Sequence, residues 1–260
     1  METGQKDFSI AVLPFVNMSA SEENEYFSDG VTEEIINALT RVEGVQVTAR
    51  TSSFAFKGEN RDIRSIAAEL GVSTILEGSV RRAGDRVRIT AQLIEAKSDT
   101  HLWSESYDRE LDDIFAVQDE IASAISDALK LSLAVETGDP LQASAIKTAS
   151  ASAYDAYLRG RELIHRRTDA DLAAAHDHLR RSLRLDDSFA PAHAQLAIAM
   201  MLGPKGSLES VISHLDRAQE LEPDLAEAHG GRALLELQTK RDPVATIEHA
   251  RKALASNPNY

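Results

Sequence analysis

Thr74-Ile-Leu-Glu-Gly-Ser-Val-Arg-Arg-Ala-Gly-Asp-Arg-Val-Arg-Ile-Thr-Ala-Gln-Leu-Ile94 decides how the first half of the chain folds. Two β-rich runs flank Ala83-Gly84-Asp85, and a glycine at a tip that needs positive φ is a strong hairpin signal. In the returning arm Val87, Ile89, Ala91 and Leu93 alternate with Arg86, Arg88, Thr90 and Gln92, so one face belongs to a core and the other to water. The tip carries Arg81, Arg82, Arg86 and Arg88. Guanidinium groups so clustered can grip a phosphate, a nucleotide or an acidic peptide. Charge on an exposed strand also blunts it against unwanted pairing, and Glu77 and Asp85 lie close by.

Upstream of the hairpin, Ser9-Ile-Ala-Val-Leu-Pro-Phe15 is a nearly continuous apolar run closed by Pro14, the mark of a central strand covered on both faces. Ser28-Asp29-Gly30 reads as the opening of a helix that uses Val31, Ile35, Ala38, Leu39 and Val42 and stops at Gly44. Val45 to Ala49 gives another strand, and Arg50 to Gly58 a loop. Asp62 caps a helix through Ile63, Ile66, Ala67 and Leu70 that ends at Gly71. Downstream, His101 to Tyr107 completes a meander, and Asp112-Asp113 opens a long helix with Ile114, Val117, Ile121, Ile125, Ala128 and Leu129 on one stripe. The order β-α-β-α-β-β-β-α predicts an α/β module with a mixed sheet and helices packed on it, over residues 1–135.

Composition narrows the possible functions. The 260 residues suffice for two ordinary domains, with 43% hydrophobic, 27% charged and only 5% aromatic residues. A net charge of -14 argues against broad nucleic-acid or anionic-membrane binding. There is no cysteine, hence neither a disulfide framework nor a thiolate metal site. The polar start Met1 to Asp7 and the lack of a long apolar run predict a cytoplasmic location and no membrane partner.

The runs Ile10 to Phe15, Glu25 to Glu34, Ala49 to Phe54, Leu76 to Arg82 and Asp112 to Phe115, in that order, resemble the TolB amino-terminal-like (FlgO-related) domain. The resemblance implies an α/β fold without an assigned catalytic residue. It also implies a bacterial setting downstream of class III adenylate or guanylate cyclase domains, or of winged-helix DNA-binding domains, and upstream of tetratricopeptide repeats.

A linker rich in small residues covers 136–152, broken at Gly138-Asp139-Pro140. Beyond it the pattern becomes helical with a long period. Pro223 returns as Pro258, a step of 35, and Ala192-His193 returns as Ala228-His229, a step of 36. This is the spacing of tetratricopeptide repeats, nominally about 34 residues. The resemblance predicts helix pairs at 153–186, 189–222 and 225–257, small residues at Gly160, Ala197 and Ala233 and again at Ser182, Ala218 and Ala253, and turns at Asp187, Pro223 and Pro258. His193 and His229 stand where a large aromatic is usual, and Arg232 where Leu is expected. The array stops after a closing Pro with no polar capping helix, which predicts either a fragment or a last face covered by a second copy.

By position in that pattern Tyr157, Arg161, Ile164, His165, Ala194, Ile198, Met201, Gly230 and Leu234 line a groove suited to a protein or peptide partner. His176-Asp-His178 reads as surface histidines, because residues two apart on a helix cannot share a metal unaided. No P-loop, His-Glu-x-x-His or Gly-x-Ser-x-Gly occurs, and the paired aspartates of a cyclase site are missing. The expectation is therefore a non-catalytic interaction or scaffold module of a bacterial signalling protein, with no cofactor or metal. The alternatives are a domain sensing a small anionic ligand through the hairpin arginines, or an accessory part of an adenylate cyclase whose catalytic domain lies outside this chain.

Overall fold

The computed structural model of the protein describes residues 8–40, 42, 44–111, 114–131, 150–203, 206–239 and 242–258. It divides into two compact units, one carrying the elements up to residue 131 and the other those from residue 150 onward.

The first unit is built on the strands β1 (Phe8–Val12), β2 (Val16–Asn17), β3 (Val45–Val47), β4 (Thr74–Ala83), β5 (Arg86–Glu95) and β6 (Thr100–Glu110). Their order is β3-β1-β4-β5-β6, with β2 continuing beside β4. β1 runs parallel to β3 and β4, whereas β4, β5 and β6 form an antiparallel meander, so the sheet is mixed. The hairpin tip is a two-residue loop: Ala83 pairs with Arg86, and Gly84 takes φ +61, the conformation that a type II′ turn asks of its first central residue. Val87, Ile89, Ala91 and Leu93 are all buried.

Ile10, Ala11 and Val12 of β1 are completely enclosed, as expected of a central strand. Ala11 and Ile75 pack with Ile66 and Ala67 of α3 (Ile63–Leu70), and Phe56 and Ala96 complete that cluster. Two longer helices, α1 (Glu25–Thr40) and α4 (Ile114–Leu131), pack against each other and against the sheet. The chain leaving β1 is pinned to α1, since the Phe15 amide donates to Thr32 Oγ1 (3.0 Å) and that hydroxyl donates to the Ser28 carbonyl (2.8 Å).

Two local readings of the sequence need correction. α1 begins at Glu25, after a short 3-10 turn over Glu22–Asn24 whose cap is Ser21, its hydroxyl accepting the Glu23 amide at 3.1 Å. Ser28-Asp29-Gly30 therefore lies inside the helix, and Asp29 serves an ion pair: Lys57 Nζ donates to both its oxygens at 2.6 Å. The stretch Arg50 to Gly58, expected as a loop, contains a short helix, α2 (Arg50–Phe54), whose Arg50 pairs with Glu33 of α1. Asp112, Asp113, the side chains of Phe115 and Leu129, and residues 136–149 of the expected linker lie outside the described residues.

The second unit consists of α5 (Ala151–Arg166), α6 (Asp169–Leu185), α7 (Ala190–Leu202), α8 (Leu208–Leu221), α9 (Ala226–Thr239) and α10 (Pro243–Ser256), paired in succession, with α7 also packed on α6 and α9. An all-helical unit thus follows the α/β unit. α5 starts within the expected linker because Ser150 caps it, accepting the Ala153 amide at 3.2 Å. Thr168, Ser207 and Asp242 cap α6, α8 and α10 in the same way. Ser182, Ala218 and Ala253 are all buried, 36 and 35 residues apart. Ser182 satisfies its hydroxyl by donating to the Ala153 carbonyl at 2.7 Å.

Candidate functional site: the first-helix face of the helical unit

The period of the helical unit is visible in its side-chain pairs. His193 of α7 meets His214 of α8 with ring centroids 5.1 Å apart, and His229 of α9 meets His249 of α10 at 5.8 Å. Each pair joins the same two repeat positions, since 193 and 229 are 36 apart and 214 and 249 are 35 apart. One step earlier those positions are Tyr157 and His178. Tyr157 is buried against Phe189, centroids 5.0 Å apart, and against Tyr154 at 6.1 Å.

This step corrects the expected groove at its first helix. Tyr157 is equivalent to His193, one residue short of Ala194, and one residue on a helix rotates a side chain by roughly 100°. Tyr157 consequently belongs to the core. Arg161 is buried as well, donating to the Tyr157 hydroxyl at 3.3 Å with its guanidinium 5.3 Å from that ring, and Ile164 is buried. Ala194 is enclosed with Ala190, Ala218, Leu225 and Ala228. α7 is buried around most of its circumference, because its many alanines let α6, α8 and α9 approach closely.

The other residues of the expected groove keep surface. Ile198 and Met201 of α7 and Gly230 and Leu234 of α9 are half-buried, and His165 of α5 is exposed. Ile198 and Leu234 occupy one repeat position, 36 residues apart, and His165 and Met201 another. The next member of the second set is Leu237, 59% exposed, which the sequence reading missed. Ile198 also lies beside Gly231, where an added Cβ would be 3.7 Å from its Cγ1, so the α7 and α9 rows adjoin. Arg232, the departure from the expected Leu, reaches back from α9 to Asp216 and to Gln219 Oε1 (3.1 Å) of α8. At the last pair Val244, Ile247 and Leu254 of α10 are exposed.

The hairpin arginines do not converge. Arg81 and Arg88 are cross-strand partners, and Arg86 shares their face, whereas Arg82 lies on the other. Arg86 and Arg88 both hold Asp108 of β6, at 2.9 and 2.6 Å, and hydrogen bonds from Arg88 and Arg86 keep that carboxyl below its ordinary range. Arg81 donates to the Met18 carbonyl at 3.2 Å. Arg82 donates to the Tyr26 hydroxyl at 3.1 Å, with its guanidinium 5.2 Å from the Phe27 ring. The face carrying three arginines is thus partly neutralised by a carboxylate of its own sheet.

His176 is not a surface histidine: it is buried and lines a cavity on α6, while His178 is half-buried. Among the described residues no cluster of three or more His, Asp or Glu side chains is placed to hold a metal. Nor, among those residues, is any helix long and apolar enough to cross a membrane.

Residues 5–124 match the family model described as HilA/YgeH-like transcriptional regulator, second domain. Over 190 residues the chain is 47% identical to "Putative adenylate cyclase 3" of Rhizobium meliloti (strain 1021), a match covering 73% of this chain and 32% of that protein. The chain thus spans about a third of the length of this curated relative. Solved structures similar to it include TolB from Acinetobacter baumannii, 17% identical, with a TM-score of 0.35 over 47% of this chain and 28% of that one. Lipoprotein GNA1162 from Neisseria meningitidis is 19% identical, with a TM-score of 0.35 over 48% of this chain and 98% of its own. The first unit is therefore similar in sequence to a regulator domain, within a chain similar to a cyclase-named protein.

Proposed function

We propose that this chain is a non-catalytic accessory region of a bacterial signalling protein, in which a tetratricopeptide-type helical unit docks a peptide segment of a protein partner. The row Ile198, Met201, Leu234 and Leu237 on the adjoining first helices carries this reading. These side chains are apolar, recur at the repeat step and keep surface, whereas the neighbouring positions are spent on the core. Met adapts its shape to a partner, and Gly230 beside the row lets a backbone come close. The regulator-type match of the first unit and the cyclase name of the relative support a place in signalling, with the α/β unit relaying the event and the cytoplasm as its location. A random-peptide display selection on the intact chain tests the docking. Peptides so selected should bind at least about tenfold more weakly when Ile198→Asp and Leu234→Asp are combined, and as before when Arg86→Ala and Arg88→Ala are combined. The reverse pattern would move the site to the hairpin.

A further inference from the structure

A separate cavity of about 630 Å³ opens between the second helices α6 and α8, with α7 behind it. That volume suits a small molecule. Its apolar part is Leu183, Leu196 and Met200, and Leu196 and Met200 are buried. Around it stand Arg180 and Arg184, one helical turn apart on α6, together with His176 and His214. α8 begins at this cavity: its cap Ser207 and the following Ser210 are both in the lining, so the positive end of a 14-residue helix faces the same space. None of the described lining residues is acidic.

Several cations among the described residues are matched. Arg86 and Arg88 share Asp108, Lys57 holds Asp29, and Arg232 holds Asp216. Arg180 and Arg184 have no hydrogen bond or ion pair among the described residues. Of the carboxylates beside the lining, Asp177 is 3.4 Å from His176 Nδ1 with its side chain largely exposed, and Glu209, between Ser207 and Ser210 in the first turn of α8, is exposed too. On a chain of net charge -14, two unmatched guanidiniums and a helix start around an apolar floor form a local reversal of sign, with two imidazoles beside them.

We propose that this cavity binds a small phosphomonoester with an apolar body, Arg180 and Arg184 holding the phosphate beside the α8 start while Leu196 and Met200 take the body. Forked guanidiniums fit a phosphate bidentately, and a helix N-terminus adds amide donors. The site is distinct from the first-helix row, and neither depends on the other.

Calorimetric titration of the whole chain with phenyl phosphate tests the proposal. Saturable one-to-one binding is expected, weakened at least about tenfold by Arg180→Ala with Arg184→Ala, since hydrogen-bonded charges dominate such affinity. Both arginines are exposed, so circular dichroism should show the variant folded. Inorganic phosphate should bind more weakly than phenyl phosphate, and phenol not measurably. Absence of saturable binding, affinity unchanged in the double variant, or equal affinity for inorganic and phenyl phosphate would each overturn the proposal. Met200→Lys, which fills the floor with a charged stem, supplies a second arm: it should abolish the preference for phenyl phosphate, and an intact preference counts against the assigned floor.

Discussion

Gly78 of β4 faces the Phe15 ring so closely that an added Cβ would lie 2.6 Å from its Cε2 and would also strike the Thr90 carbonyl of β5. Neither neighbour can yield, because Phe15 is completely enclosed and Thr90 belongs to the hairpin ladder. Gly78→Ala should therefore cost about 1–3 kcal/mol, as overpacking does, measured as a lower urea midpoint at an unchanged slope. An unchanged midpoint would mean that β4 and β5 separate freely here. The sequence marks Gly78 only as a glycine in a strand, because Phe15 comes from the neighbouring strand segment 63 residues earlier in the chain. Asp29 was misread for a similar reason. An acid near a helix start looks like a cap, but its partner Lys57 lies 28 residues on, and only the packing of the chain after α2 brings it there.

At the scale of elements, the hairpin was the most legible part. Alternation fixes which arm faces the core, and Gly84 fixes the turn, since both are local. What alternation cannot give is the fate of each arginine, which depends on β6 bringing Asp108 across the strand. The histidine pairs between first and second helices were not legible either. In one, His193 Nε2 lies 3.0 Å from the Asp187 carbonyl and donates to it, leaving Nδ1 to accept from His214 Nδ1 at 2.8 Å. That arrangement needs the His193 ring neutral, and one Nδ1–Nδ1 hydrogen bond forbids both rings carrying a charge at once. Burial, then the neighbouring His193, Arg180 and His176, push the His214 imidazole down to about 4, and burial lowers His193 as well. A histidine so depressed takes up its proton in the unfolded chain first. Its contribution is complete above about pH 6.5 and is lost as pH falls toward 4, on the order of 2 kcal/mol after allowing for partial exposure. Between pH 7.5 and 4.5 the helical unit should lose less stability in His214→Asn than in the parent chain, read from urea midpoints by far-UV circular dichroism. Equal losses would show that the pair does not couple to protons.

For the molecule as a whole, the succession of an α/β unit and a helical unit was readable because helical and strand periods differ and the change of pattern is abrupt. The repeat step was readable too, from Pro223, Pro258 and the Ala-His pairs. Fitting Tyr157 and Arg161 to a nominal pattern missed the 36-residue step and placed two buried side chains at the surface, whereas Ile198, Met201, Leu234 and Leu237 keep surface. Amide hydrogen exchange of the whole chain, with and without a display-selected peptide, measures most directly where a partner sits. Slowed exchange is expected in α7 and α9, with the β4–β5 hairpin unaffected. Slowing confined to that hairpin, with α7 and α9 unchanged, would contradict it.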